Sequence, residues 1–406
     1  MSFVWNRAWR TVAFLWFAFF LAYTARQAVN STFGGLRRDL AFSEAQLGLI
    51  GAAFLWTYAL VNPVAGFIGD RFSKPRVLVL SVALWSGAVA LMGAAWSPLA
   101  MLAGRGALAV AQGLYAPTAL AFISQIHGSA SRATAITAHA TAQYVGVIAG
   151  GWYGGAASDE FGWRWMFFSI AAVTLVYSGI LGRFIRMPEV VGGPGRGAAV
   201  SPLGDIFRCA SYLAICLAFV AVCAMLWIIY TWLPDLLRER FRLSAGQAGF
   251  SGTAYVQLSM VAGLLVGAPL GDWASSRSPS GRVWVMVGGL FLSAPFIYLI
   301  AAAETLTGMK LASIAYGLFK GMFSANMWAA LLAVCARDRN AFAVGFCNSL
   351  GAVFGGLSSY MVGAFRGHYP VETMFGAAAG LGWFAAAVLA VAAWRVYPGD
   401  LREDAR

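Results

Sequence analysis

Apolar runs of about 20 residues recur along this chain from end to end, with few polar residues inside them. At 1.5 Å rise per residue, a helix of that length crosses the roughly 30 Å hydrocarbon core of a bilayer. Lipid offers no partner to backbone N–H and C=O groups, so a run of this kind must satisfy them within itself, as a helix does. The composition agrees, because 60% of the 406 residues are hydrophobic and only 11% are charged, a balance foreign to soluble domains. Twelve spans can be marked off, at about 11–34, 44–69, 77–97, 99–126, 134–156, 165–186, 209–236, 246–271, 283–303, 308–335, 342–365 and 373–394. The expected fold class is an all-α membrane protein whose twelve transmembrane helices form two pseudo-symmetric six-helix bundles. The first span is too long for a signal-peptide core and contains Arg26, so it reads as a retained helix.

The longest polar stretch, 183–208, carries Gly192, Gly193, Pro194, Gly195 and Gly197 and reads as a flexible connection. The division expected is an N-terminal bundle over 1–186, a cytoplasmic linker over 187–208 and a C-terminal bundle over 209–406. The halves echo each other: Gly69-Asp70 closes span two and Gly271-Asp272 closes span eight, each followed by basic residues. Arg132 precedes Gly150-Gly151 of span five much as Arg339 precedes Gly355-Gly356 of span eleven. Such duplication in transporters places the substrate near mid-membrane between the halves.

Orientation follows from Lys and Arg. With the N-terminus inside, seventeen fall in cytoplasmic segments and eight on the other side, so both termini are expected in the cytoplasm. The net charge of +12 then belongs to cytoplasmic loops, and no nucleic-acid partner is expected. The five cysteines lie in or beside apolar spans, without metal-ligand spacing or a disulfide framework. The 47 glycines suit close helix approach in lipid.

The three basic residues left over, Arg26, Arg105 and Lys320, lie inside spans, whereas the 16 Asp and Glu residues fall at span ends or in loops. A charge at the bilayer centre costs about 2.5–3.5 kcal/mol on insertion scales, so three cations without a buried anion point to an anionic ligand. A guanidinium presents a planar fork matched to carboxylate or phosphate. Tyr23 and Asn30 share the face of Arg26 at i−3 and i+4. Arg105 is only about seven residues into span four, within snorkelling reach of the outer surface, with Gln112 two turns along. Lys320 is near mid-depth in span ten, with Asn326 nearby. Gln143 in span five and Tyr230 in span seven complete the candidate substrate-binding set. His139 reads as a helix hydrogen-bonder. No catalytic nucleophile arrangement, metal cluster or phosphate loop is present, so neither an enzyme nor a cofactor is expected.

The stretch Gly66-Phe67-Ile68-Gly69-Asp70-Arg71-Phe72-Ser73-Lys74-Pro75-Arg76 resembles the loop 2–3 signature of the major facilitator superfamily, with Ser73 and Pro75 as departures. The resemblance implies the twelve-helix fold of that family and a gating role for Asp70, Arg71 and Arg76, with Asp272 their echo. Within it the chain resembles the organic-anion:cation symporters and the organophosphate–phosphate antiporters, through Tyr23 to Gln27, the Arg105–Gln112 pair, Gln143, Trp232-Leu233-Pro234 and the Asn326 and Asn348 regions. It departs from the symporters at Ala25 and Gln112, where they carry Asp and Glu, and from the antiporters at Leu226, where they carry Arg. The resemblance implies a secondary transporter of a small organic anion in a plasma membrane (the inner membrane of a bacterium), monomeric and needing only the lipid bilayer around it. Proton symport, exchange for a counter-anion and uniport all stay open. A spinster-like lipid carrier and a non-transporting anion sensor are the alternatives, the latter expected to carry an extra domain or long tail.

Overall fold

The computed structural model describes residues 7–185, 207–336 and 339–401, with the side chains of 63, 66–70, 129, 130 and 341 left aside. The predicted linker, apart from its last two residues, lies outside the described residues. Everything regular among the described residues is helical: α1 (Arg7–Ala28, prolonged by a 3₁₀ turn Val29–Ser31), α2 (Phe33–Leu40), α3 (Glu44–Arg71), α4 (Lys74–Gly93), α5 (Pro98–Ile126), α6 (Ser129–Phe161), α7 (Trp163–Phe184), α8 (Ala210–Phe241), α9 (Ala245–Ser275), α10 (Gly281–Ala302), α11 (Leu306–Val334), α12 (Asn340–Phe365), α13 (Val371–Arg395) and α14 (Tyr397–Asp400). All but α2 and α14 run 20 to 33 residues, long enough to cross a bilayer. Eleven of these are also apolar enough. The exception is α6, diluted by Thr134, Thr137, His139, Thr141 and Gln143. The outward faces are apolar, with Leu60, Leu99, Leu265 and Trp96 among the most exposed side chains. Such a surface is stable against lipid and not against water.

Local sequence explains the helix starts. At α3, Ser43 N–H donates to Gln46 Oε1 (3.0 Å) and Gln46 N–H donates to Ser43 Oγ (3.3 Å). At α9 the same reciprocal box joins Ser244 and Gln247, at 3.4 and 3.2 Å. Each box satisfies two otherwise orphaned donors, and each follows a left-handed residue, Ala41 (φ 51) or Arg242 (φ 53). Ser97 caps α5 through Ala100 N–H, and Thr305 caps α11 through Gly308 N–H. The second and eighth spans therefore begin alike, and so do the fourth and tenth.

The chain forms two compact units, Met1–Gly197 with Leu233–Thr253, and Ala198–Trp232 with Ala254–Arg406. A division at the linker would put 233–253, the end of α8 and the start of α9, in the second unit. Contacts with the first unit explain its placement there. Gly155 of α6 meets the backbone of Ala245, Gly151 meets Gly249, and Asp159 accepts the Ala245 N–H at 2.6 Å.

In the first unit α1 packs on α6, and α5 lies against α3 and α4. The α1–α6 contact is made by a glycine stripe. A Cβ on Gly146, Gly150 or Gly154 would come within 2.7, 2.5 and 2.5 Å of the Phe20, Thr24 and Ala28 carbonyl oxygens. Without a hydrophobic drive between helices in lipid, such close backbone approach is what holds them. In the second unit α10 packs on α11 and α13, and Gly263, Gly317 and Gly321 let α9 and α11 touch backbone to backbone.

Candidate functional site

In the first unit the polar centre is built by α1, α3 and α5. Arg26 is buried, 9% exposed. Its Nε and Nη2 both donate to Gln112 Oε1, at 3.3 and 3.1 Å, while Gln112 Nε2 donates to the Ala22 carbonyl at 3.0 Å. The amide thus ties the guanidinium back to its own helix. The Arg26 Cζ stands 4.3 Å from the ring centroids of both Tyr23 and Phe54 and 5.4 Å from that of Tyr58. These rings offer their negative faces to the cation.

Arg105 is fully buried and does not snorkel, which corrects the expectation drawn from its shallow position. Its Nε donates to the Ile50 carbonyl (3.1 Å) and Nη2 to the Arg26 carbonyl (3.0 Å). Its Cζ lies 5.0 Å from the Phe54 ring, so Phe54 is shared by two guanidiniums. Among the described residues Arg105 Nη1 has no hydrogen-bond partner, and neither arginine has an ion pair. Two like charges beside one ring, without a carboxylate, make a site that an anion would stabilise.

Tyr23, Arg26, Arg105 and Gln112 are therefore brought together. Asn30 lies buried in the 3₁₀ turn that follows α1, where its Nδ2 donates to Gln27 Oε1 at 3.4 Å. Gln143 is half-buried on α6 beside Tyr144, with Tyr23 close by. His139 stacks on Phe19 with centroids 4.6 Å apart, and its Nε2 lies 3.5 Å from the Tyr115 hydroxyl. It is a packed, hydrogen-bonded residue.

The second unit holds Lys320, 7% exposed, its Nζ 2.7 Å from Met260 Sδ and close to Cys223. Tyr230 donates to Gln257 Oε1 at 2.8 Å. Asn326 stands apart from Lys320, because six residues along a helix turn it to another face. Its Nδ2 donates to the Gly267 (2.8 Å) and Met322 (3.0 Å) carbonyls, and its Oδ1 accepts from Arg282 Nη1 at 3.2 Å. Arg282 also pairs with Asp272. Asn326 is thus spent on a network with the expected gating residue Asp272 rather than offered beside the lysine. Arg71 and Arg76 are exposed, and the Asp70 side chain lies outside the described residues.

Phe54 and Gln257 carry no sequence signal for the places they take, whereas Tyr58, an aromatic inside span two, is a sequence candidate for lining a cavity. The Arg37 cluster was also not foreseen. Arg37 on α2 donates through Nε and Nη2 to Glu44 (2.6 and 2.8 Å) and through Nη1 and Nη2 to Asp235 (2.8 and 2.6 Å). Burial works against the charge on Arg37, but bonds to Asp235 and Glu44 outweigh it and hold its pKa above the ordinary arginine value. Asp235 is only 3% exposed. It lies inside α8, which continues through Pro234 to Phe241, so this carboxylate is buried although it stands at the predicted span end.

Known proteins place this chain. The mouse voltage-gated purine nucleotide uniporter SLC17A9 is 26% identical over 56% of this chain, a match spanning about half (54%) of that protein. The rat counterpart matches at 25% over 87% of this chain and 81% of its own length. The hexuronate transporter of Bacillus subtilis is 24% identical over 88% of this chain and 89% of its own. The crystal structure of a bacterial homologue of the human lysosomal transporter Spinster shares the fold, with a TM-score of 0.81 at 17% identity, covering 97% of this chain and 98% of that one. The description of the Major Facilitator Superfamily matches residues 15–359, and the chain is a multi-pass membrane transporter belonging to that superfamily.

Proposed function

We propose that the protein is a secondary transporter of a small organic anion, a sugar acid, carboxylate or phosphorylated metabolite, working by alternating access. The observation that carries this reading is the pair Arg26 and Arg105, two guanidiniums around Phe54 with no described carboxylate to balance them. Tyr23 and Gln112 would position the anion at these arginines, and Lys320 is the cationic candidate of the second unit. An anion that binds one conformation of the carrier more tightly than another contributes the differential binding that shifts the equilibrium between states. Asp272 and Arg282, with Asp70, Arg71 and Arg76 as their counterparts, would serve as the gate.

Gln112 favours exchange or uniport over proton symport. It holds Arg26 through an amide, which does not titrate, where the related symporters carry a carboxylate. In reconstituted vesicles, uptake requiring an internal counter-anion would mark exchange, and uptake driven by a pH gradient would mark symport. The related hexuronate transporter suggests sugar acids as the first compounds to screen. For the anion identified, Arg26→Ala should lose about 10- to 150-fold in affinity, the worth of a charge-assisted pair at roughly 1.5–3 kcal/mol. Wild-type affinity in Arg26→Ala would overturn the assignment.

A further inference from the structure

A half-open polar cavity of about 380 Å³ lies beside the turn joining α9 to α10, at one end of the second unit. Ser275, Ser276, Arg277, Ser278, Arg282 and Tyr397 line it, together with small apolar residues of α11. Two arginines thus face one pocket of a size to admit a phosphorylated group. The Arg277 guanidinium lies over the Trp273 indole at 4.1 Å, and the one hydrogen bond described for it, Nη1 to the Trp273 carbonyl, is long at 3.5 Å. The rest of its fork is available. Arg282 uses Nη1 for Asn326 and Nη2 for Asp272. Two of its five donors are therefore engaged, and three remain. The Ser275 and Ser276 hydroxyls donate to the Gly271 and Trp273 carbonyls, both at 2.8 Å. The Ser278 hydroxyl makes no hydrogen bond among the described residues.

We infer that this cavity binds a phosphate-class anion, held by Arg277, Arg282 and Ser278. Guanidinium forks suit phosphate oxygens in bidentate geometry, and the volume leaves room for the alcohol side of a phosphoester. The carboxylate on Arg282, Asp272, is 70% exposed, so it competes weakly and leaves the local charge positive. The consequence is regulatory. Arg282 ties the end of α9 to α11 through Asp272 and Asn326, and an anion drawing on the same guanidinium loosens the Asp272 arm. The ligand would be either free phosphate or a phospholipid headgroup, since both present the same oxygens.

The test uses the purified full chain with inorganic phosphate as probe, reading thermal unfolding and binding by calorimetry. Arg277→Gln with Ser278→Ala should weaken phosphate binding at least tenfold. Arg26→Gln should leave this component intact, which separates it from the proposed transport site. Arg277 is exposed, so its replacement spares the core. In nanodiscs, phosphatidylglycerol that suppresses the phosphate response relative to phosphatidylcholine identifies a headgroup as the occupant. An unchanged response identifies free phosphate. Phosphate binding of wild-type strength in the Arg277→Gln/Ser278→Ala protein, loss of binding with Arg26→Gln alone, or no binding at all overturns the inference.

Discussion

Replacing Gly150 with alanine tests the contact that sets the position of Arg26. The new Cβ would sit 2.5 Å from the Thr24 carbonyl oxygen and 3.0 Å from both Thr24 Cα and Gln27 Cβ. Ordinary contact begins near 3.4 Å, so the shortfall against the oxygen is about 0.9 Å. Two of the three obstructing atoms are backbone, so no rotamer change relieves the clash and α1 must move away from α6. Overpacking of this kind costs about 1–3 kcal/mol. Separation also stretches the Ser31 Oγ bond to the Gly151 carbonyl, now 2.9 Å, adding roughly 0.5–1.5 kcal/mol. A total of roughly 1.5–4.5 kcal/mol corresponds to a change of about 10- to 1,600-fold in the unfolding equilibrium. The assay is denaturant unfolding in bicelles, with Gly87→Ala as the control because a Cβ at Gly87 meets nothing within 4 Å. Gly150→Ala should also weaken anion binding, because Thr24 and Gln27 flank Arg26 and carry its guanidinium away from Gln112. Equal unfolding midpoints for Gly150→Ala and Gly87→Ala would refute the packing argument.

Two further outcomes follow from the charged cluster at the predicted outer face. Asp235→Asn removes a buried charge from Arg37 but leaves Glu44, so the loss should be about 1–2 kcal/mol, below the roughly 3–5 expected when a buried pair is broken outright. A double-mutant cycle with Arg37→Met should return a coupling above about 0.5 kcal/mol, and strict additivity would exclude a working ion pair. Asp39 accepts from Arg38 Nε at 2.9 Å and from Trp163 Nε1 at 2.9 Å. Its carboxyl titrates below the usual value, chiefly through the Arg38 bond, with burial opposing and Trp163 assisting. A depressed folded pKa gives stability that is present above the unfolded value of about 3.9 and lost as pH falls through the folded one. The stability difference between wild type and Asp39→Asn should thus be constant from pH 7 to about 5 and shrink on further acidification. A difference that instead grew on acidification would reverse the assigned sign.

How far the sequence could be read depended on whether the deciding partner was a side chain pattern or a backbone atom. Apolar runs mark helices because lipid leaves the backbone no other choice, so the twelve long helices among the described residues were legible to within about five residues, eleven of them apolar enough to span a membrane. Their ends were less so, since a helix can run past the lipid on polar residues. That is how α8 reaches Phe241 and carries Asp235 into a buried place. The face shared by Tyr23 and Arg26 followed from helical spacing, whereas the 3₁₀ turn that holds Asn30 had no signal in that spacing. Arg105 is satisfied by the carbonyls of Ile50 and Arg26, acceptors that every residue owns and no sequence pattern announces. Phe54 is equally silent, an apolar residue in an apolar run until two cations are found on it. The internal repeat is richer than the loop motifs alone suggest. Ser43 and Ser244, 201 residues apart, open α3 and α9 with the same serine–glutamine box, and Asp70 and Asp272, 202 apart, stand near the ends of those helices. The two halves have thus kept the caps and turns that start and stop their second helices. Their charged interiors have diverged to Arg26 and Arg105 in one and Lys320 in the other. Duplicated scaffolding thus carries an unlike polar centre in each unit, because caps and turns are fixed by backbone needs common to both and buried charges are not.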